Sequence, residues 1–81
     1  MVETRFAPRF RVAKPAKIEH EGFVVACIIR DLSLTGAGVE ISDIDPKLIP
    51  SKFTLVVPED GLRLSCRLVR RGAFRIGIEF I

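Results

Sequence analysis

The chain begins with a cluster of arginines whose spacing suits a ligand that carries phosphates. Arg5 and Arg9 stand four residues apart on either side of Pro8, and Arg11 follows. A guanidinium is a planar fork that grips a phosphate or a guanine edge through paired hydrogen bonds, whereas a lysine offers a point charge. In an extended chain the two arginines lie at most ~13 Å apart, a reach that suits two phosphates or two bases. A solvated basic N-terminus is the simpler alternative, and for this segment alone it is favoured.

A second polar cluster lies between two apolar segments further along the chain. It reads Asp31-Leu32-Ser33-Leu34-Thr35-Gly36. The Asp31 carboxylate has the acceptors for the ring N–H and the exocyclic amine of guanine, and the Ser33 hydroxyl is able to add another hydrogen bond. Gly36 permits close backbone approach or a positive φ. An ordinary Asx or Ser/Thr turn explains the same residues, and for this cluster alone that alternative is favoured.

Catalytic and metal-binding chemistry lack the residues that they need. The single histidine, His20, has no nucleophile beside it, and Ser33 and Ser65 are not in the sequence context of a nucleophile elbow. No Walker or Rossmann glycine pattern occurs, and one histidine with two cysteines is too few for a metal site. The two cysteines, Cys27 and Cys66, lie in apolar segments, which indicates buried thiols rather than a disulfide framework. We therefore expect no enzyme, no metal and no cofactor other than a bound ligand.

Composition sets the class of protein that must position these clusters. The chain has 81 residues, 48% of them hydrophobic, and a net charge of +3. These values predict one packed domain, and the sequence contains neither an apolar run long enough to span a membrane nor a signal-peptide core. We expect a cytoplasmic protein. The charge is uneven, because residues 1–20 and 61–81 are basic whereas residues 21–60 are acidic. If the two basic ends meet, they form a face suited to a phosphate-bearing partner.

Apolar residues alternate with polar ones in most of the chain, which predicts short strands. We expect six strands and one helical turn, with Asp45 as N-cap of the turn. Pro15 confines the first strand to an edge or a bulge. The second strand is apolar on both faces, as expected for a strand covered on each side. The expected strands cover residues 12–20, 23–29, 37–42, 53–57, 62–68 and 74–80. Six such strands favour a small antiparallel β-barrel.

Taken together, the two clusters resemble the PilZ domain, a bacterial receptor domain for the second messenger cyclic di-GMP. The R-x-x-x-R stretch of that family corresponds to Arg5 and Arg9, and its [D/N]-x-S-x-x-G turn corresponds to Asp31, Ser33 and Gly36. The ending Arg-Ile-Gly-Ile-Glu-Phe is similar to the closing strand of the family. The resemblance implies a six-stranded antiparallel barrel over residues 12–81, preceded by a flexible basic segment over residues 1–11.

The resemblance also implies roles for the residues that match the family motifs. Arg5 and Arg9 would contact phosphates and the Hoogsteen edges of guanine, Asp31 and Ser33 would hold a guanine, and Gly36 would leave room for it. Thr4 stands where many members carry another arginine, so the number of ligands bound stays open. Many members also continue into a C-terminal helix, whereas this sequence ends at Ile81, so we expect either a minimal, stand-alone version of the domain or a chain trimmed to the barrel.

Two alternatives to a cyclic di-GMP receptor are a PilZ-fold protein-interaction module and a small-barrel binder of nucleic acid. The arginines and the turn count against the first. The second usually needs exposed aromatic residues, and we expect Phe23, Phe53, Phe74 and Phe80 in the core. We also expect Phe6 and Phe10 to pack the N-terminal segment onto the barrel. A downstream protein partner is expected, and monomer or homodimer stays open. The expected strand near residues 62–68 also has a row of outward residues: Arg63, Ser65, Arg67, Val69 and Arg71. A solvated strand face is the simplest interpretation of this row, and a wider phosphate-binding surface or a patch for a protein partner are the alternatives.

Overall fold

The structure is a computed structural model that describes residues 8–81 of the chain. Within that range, residues with alternating polarity form strands, and prolines begin two single 3₁₀ turns. The strands are β1 (Phe10–His20), β2 (Phe23–Leu32), β3 (Gly36–Glu40), β4 (Lys52–Val57), β5 (Leu62–Arg71) and β6 (Arg75–Phe80). The turns span Pro46–Leu48 and Pro58–Asp60. No helix described in this range is long and apolar enough to cross a membrane.

The six strands close into a barrel in the order β1-β2-β3-β6-β5-β4, and every neighbouring pair is antiparallel. Closure is completed by β4, which pairs with the C-terminal half of β1 at Ile18 and Leu55. The barrel removes the exposed edges that a flat sheet of six strands would leave. The predicted all-β fold, a small six-stranded antiparallel barrel, is therefore confirmed.

The core consists of the inward side chains of all six strands and two residues from the loop between β3 and β4. Period-two alternation puts every second residue of a strand on one face, and on this barrel that face is the interior. The buried apolar residues are Ala16, Ile18, Val25, Cys27, Ile29, Ala37, Val39, Ile41, Ile49, Phe53, Leu55, Val57, Cys66, Ile76 and Ile78. The interior is filled with side chains, so a ligand has to bind on the outer surface.

The predicted helical turn is confirmed as the 3₁₀ turn Pro46–Leu48. Asp45 caps it, because its Oδ1 accepts a hydrogen bond of 2.9 Å from the Lys47 backbone N–H. The neighbouring loop is fastened to the barrel by Arg71, whose guanidinium donates to the backbone carbonyls of Pro46 and Ile49 at 3.3 and 2.6 Å.

Three expectations about apolar residues were wrong. The strand β2 is covered on one face only, and Val24 and Ile28 are exposed on the other, because a closed barrel of this size has no second layer outside it. Phe74 is 69% exposed instead of buried, since it lies in the turn before β6 begins at Arg75. Phe10 is also mostly exposed and is not among the residues packed against the core, so it does not pack the N-terminal segment onto the barrel as expected, although β1 begins at this residue, two positions earlier than predicted. Phe6, the other residue of this expectation, lies outside the described residues.

Candidate functional site

Asp31 reaches the outer surface of the barrel because β2 contains a bulge. Val25, Cys27 and Ile29 point into the core, so strict alternation would point Asp31 inward as well. The pairing of β2 with β3 shifts between Ile29 and Asp31, and the extra residue reverses the alternation. Asp31 thus lies opposite Gly38, on the outside of the barrel.

The Asp31 carboxylate is held by two groups. Its Oδ1 accepts the backbone N–H of Gly38 at 3.1 Å and the guanidinium of Arg9 through Nε at 2.9 Å and Nη2 at 2.8 Å. A Cβ at position 38 would collide with Oδ2 and lie 3.0 Å from Cγ, so glycine is required under the carboxylate. Two of the predicted site residues, Arg9 and Asp31, are therefore in direct contact. The other predicted arginine, Arg5, lies outside the described residues.

Ser33 organises the turn between β2 and β3. Its side chain is buried, and its Oγ accepts the backbone N–H groups of Thr35 and Gly36, both at 3.2 Å. The same hydroxyl donates to the Gly36 carbonyl at 3.2 Å. A hydroxyl has one donor and two acceptor positions, so these three bonds use its full capacity. In this structure Ser33 shapes the turn from which β3 starts.

Gly36 is packed against the backbone of β6. A Cβ at this position would overlap the Ile78 carbonyl oxygen and lie 3.2 Å from the Ile78 carbonyl carbon. The φ of Gly36 is not positive, so its need for glycine comes from close approach and not from backbone conformation. The space that the missing side chain would fill is occupied by the neighbouring strand.

Arg70 is brought to the same surface by a second bulge, and the sequence analysis did not single it out. Leu64, Cys66 and Leu68 point inward along β5, so strict alternation would point Arg70 inward too. The pairing of β5 with β6 shifts between Leu68 and Arg70, which turns Arg70 outward and places it opposite Gly77. One signal was available, because Val69 directly after Leu68 breaks the period of two.

These residues surround an outer groove of about 410 Å³. One wall is formed by Arg9 and Asp31, and the opposite wall by Val69, Arg70 and Glu79; the base contains Thr35, Gly36, Gly77 and Ile78. Cavities of about 660 and 890 Å³ lie elsewhere on the barrel, and neither is lined by a predicted site residue. A further cavity of about 360 Å³ is lined by Asp31 and Arg11 but not by Arg9. The outer groove is the candidate site because it alone of these four is lined by both Arg9 and Asp31.

The four arginines of β5 differ in their partners, and the predicted outward row was wrong at Arg71, which lies opposite the inward-facing Ile76 after the bulge. Arg63 pairs with Glu19 at 3.0 Å, and Arg67 pairs with Glu79 across the strand pair. Arg71 binds loop carbonyls, as described above. Arg70 forms no ion pair or hydrogen bond with a side chain among residues 8–81. Among the arginines of β5, Arg70 is therefore the one without a hydrogen-bond or ion-pair partner in residues 8–81.

The histidine and the two cysteines do not line the outer groove. His20 lies 3.9 Å from the Glu21 carboxylate and is partly exposed. Cys27 and Cys66 are buried in the core and are not joined to each other. Burial raises the pKa of the Cys27 thiol to about 12 and that of Cys66 to about 11, so both are protonated at neutral pH. Within residues 8–81, no group of three or more potential ligands could hold a metal ion.

A family model described as PilZ domain matches residues 3–81, which is nearly the whole chain. The matched range contains Arg5, Arg9 and the turn from Asp31 to Gly36. No curated protein matches the chain.

Proposed function

The chain belongs to the PilZ domain family, and we propose that it is a non-catalytic receptor for cyclic di-GMP that binds the ligand in the outer groove. The observation that carries this proposal is the contact between Arg9 and Asp31 at one wall of that groove. A guanidinium and a carboxylate together are suited to the two parts of a guanine nucleotide, since one attracts the phosphate and the other the donor edge of the base.

Asp31 is suited to guanine because of the oxygen that it leaves free. Oδ1 is occupied by Arg9 and Gly38, whereas Oδ2 receives no hydrogen bond from residues 8–81. Guanine presents its ring N–H and its exocyclic amine side by side, and adenine does not offer this pair to a carboxylate. A nucleotide with guanine bases is therefore the expected ligand, and its adenine counterpart is the expected non-ligand.

Arg9 pairs with Asp31 in the structure, and ligand binding would replace this partner. A phosphate is a competing anion for the same guanidinium, and once Arg9 turns toward it, both carboxylate oxygens of Asp31 face the base. The Gly38 N–H continues to hold the carboxylate during this exchange, so Asp31 does not need to move. Arg5, in the same R-x-x-x-R stretch, supplies the second guanidinium in this proposal.

Ser33 and Gly36 act indirectly in this proposal. The Ser33 hydroxyl uses its hydrogen bonds within the turn, and Gly36 lets β3 lie close to β6. Both residues fix the start of β3, and hence the position of Gly38 under the Asp31 carboxylate. We therefore expect their loss to lower stability first and affinity as a consequence.

The signalling step in this proposal is the ordering of the N-terminal segment. Charge-assisted hydrogen bonds to the two arginines offset the entropy lost when the segment is fixed on the barrel. The fixed segment and the bound nucleotide then form a surface that differs from the free protein, and a downstream protein partner is able to read this difference.

Calorimetric titration and equilibrium dialysis with cyclic di-GMP test the proposal. The chain has no Trp and no Tyr, so guanine absorbance reports ligand in the dialysis chambers with little protein background. We expect saturable binding that is weakened about 10- to 100-fold by Arg9→Ala and by Asp31→Asn, since each removes charged hydrogen bonds. Asp31→Asn keeps an acceptor for Gly38, so the fold should persist.

Two controls define the result. Arg63→Ala removes an exposed arginine of β5 that pairs with Glu19 away from the groove, and it should bind like the native protein. Cyclic di-AMP should bind at least about tenfold more weakly than cyclic di-GMP. The proposal is contradicted if the native protein shows no saturable binding. It is also contradicted if Arg9→Ala and Asp31→Asn bind with the affinity of the native protein.

A further inference from the structure

Two β-bulges aim charged side chains at one pair of glycines on the outside of the barrel. Gly38 and Gly77 face each other across the β3–β6 pairing. The bulge of β2 places Asp31 opposite Gly38, and the bulge of β5 places Arg70 opposite Gly77. A β-bulge re-aims a side chain and recurs at binding sites, so two bulges converging on one glycine pair call for a common explanation.

The side chain of Arg70 lies across Gly77 towards the groove. A Cβ at position 77 would lie 3.6 Å from Arg70 Cβ, 3.7 Å from its Nη2 and 3.8 Å from its Cζ. The Arg70 side chain therefore lies over the β6 backbone at Gly77, at the base of the groove.

The charges that line the groove leave Arg70 uncompensated. Arg9 and Asp31 neutralise each other at one wall, and Glu79 at the other wall is paired with Arg67. Arg70 forms no ion pair with any side chain of residues 8–81. The two arginines and two carboxylates that line the groove balance formally, but Glu79 is already paired with Arg67 outside it, so the charge of Arg70 is left without a partner among residues 8–81.

We propose that Arg70 is a third ligand-binding arginine. It holds a phosphate of the bound dinucleotide from the β5 side, while Arg9 and Asp31 hold the same dinucleotide from the β2 side. The inference rests on the proposed function and adds to it the second wall of the site. It also gives Gly77 a role, because the absence of a side chain there leaves the base of the groove open to the ligand.

The test compares Arg70→Ala with Arg63→Ala in titrations with cyclic di-GMP. Both variants remove one exposed arginine of the same strand, but Arg63 does not line the groove. We expect Arg70→Ala to weaken binding about tenfold or more and to make the affinity less sensitive to salt, whereas Arg63→Ala changes neither. Arg70→Lys should recover part of the loss, because it keeps the charge without the planar fork.

Gly77→Ala is a second test that leaves every charge in place. The new methyl group meets atoms of Arg70 at ordinary contact distances, so the barrel should fold, but the methyl group occupies the base of the groove. We expect a folded protein with weaker binding. If the native protein binds, Arg9→Ala is impaired, and Arg70→Ala retains native affinity, this inference is overturned and the proposed function stands. If the native protein does not bind cyclic di-GMP, both are overturned.

Discussion

Replacing Gly36 with alanine separates a structural role of the motif glycine from a role in making room for ligand. The new methyl group would overlap the Ile78 carbonyl oxygen, which belongs to backbone and has no rotamer by which to move away. Carbon and carbonyl oxygen normally stay about 3.3 Å or more apart. The strands β3 and β6 must therefore separate by roughly 1 Å at this point, where Thr35 and Phe80 are joined by a backbone hydrogen bond of 2.8 Å.

The expected cost follows from these contacts. Forcing an extra methyl group into a packed site costs about 1–3 kcal/mol, and each backbone hydrogen bond that is strained adds about 0.5–1.5 kcal/mol. We expect Gly36→Ala to lower the free energy of unfolding by about 3 kcal/mol. A domain of this length has a total of roughly 4–12 kcal/mol, so the variant loses a large part of its stability. The matching fall in Tm is about 12–24 °C.

Urea and thermal unfolding followed by far-ultraviolet circular dichroism measure this cost, and Gly77→Ala is the matched control. Both glycines are buried in the same pair of strands, but a Cβ at Gly77 meets nothing closer than 3.6 Å. We expect the control to unfold within about 1 kcal/mol of the native protein. If Gly36→Ala is as stable as Gly77→Ala, the backbone contact does not explain the glycine, and the requirement lies with the ligand.

Two further predictions concern the turn and the buried thiols. Ser33→Ala removes the acceptor of the Thr35 and Gly36 N–H groups and should lower the free energy of unfolding by about 1–3 kcal/mol in urea titrations. The control Ser65→Ala, on the exposed face of β5, should leave it unchanged. Equal stability of the two variants would contradict the role of Ser33 in holding the turn. Burial raises the pKa of Cys27 to about 12 and of Cys66 to about 11, above the ordinary 9.0 at which the unfolded chain loses these protons. Deprotonation above pH 9 therefore stabilises the unfolded state relative to the native state. The free energy of unfolding should fall by about 1.4 kcal/mol per pH unit for each thiol above pH 9, which is about 3 kcal/mol for the two thiols by pH 10. Urea titrations of the Cys27→Ala/Cys66→Ala variant should lose this slope, and an unchanged slope would assign the effect to other groups.

The strands were predictable because a barrel interior imposes a period of two on the sequence. Phe53, Leu55 and Val57 were expected on one face of a strand and are buried in β4. The same rule failed for Phe74, which continues the alternation of β6 but lies in the preceding turn. Alternation describes which face a residue would take if it lay in a strand, and it does not tell where the strand begins.

The motif residues were predictable as types but not as contacts. Asp31 and Ser33 were both expected to face a ligand. Asp31 is turned outward by a bulge in β2, whereas the Ser33 hydroxyl forms its hydrogen bonds within the turn. A bulge depends on the pairing of two strands that are distant in sequence, so one strand read alone does not reveal it. Arg70 was missed for this reason, since its place in the alternation of β5 pointed inward.

The bulges also explain how a small filled barrel presents a groove on a convex surface. Outward positions of a strand normally carry side chains that project from the surface, and a row of them leaves no depression. At Gly38 and Gly77 two paired outward positions lack side chains of their own, and the side chains of Asp31 and Arg70 lie over them. Regular alternation would then leave Asp31 and Arg70 inside, where an aspartate and an arginine would have to be buried at high cost. The bulge in β2 and the bulge in β5 keep these two charged side chains out of the core and place them on the outer surface, where both line the outer groove.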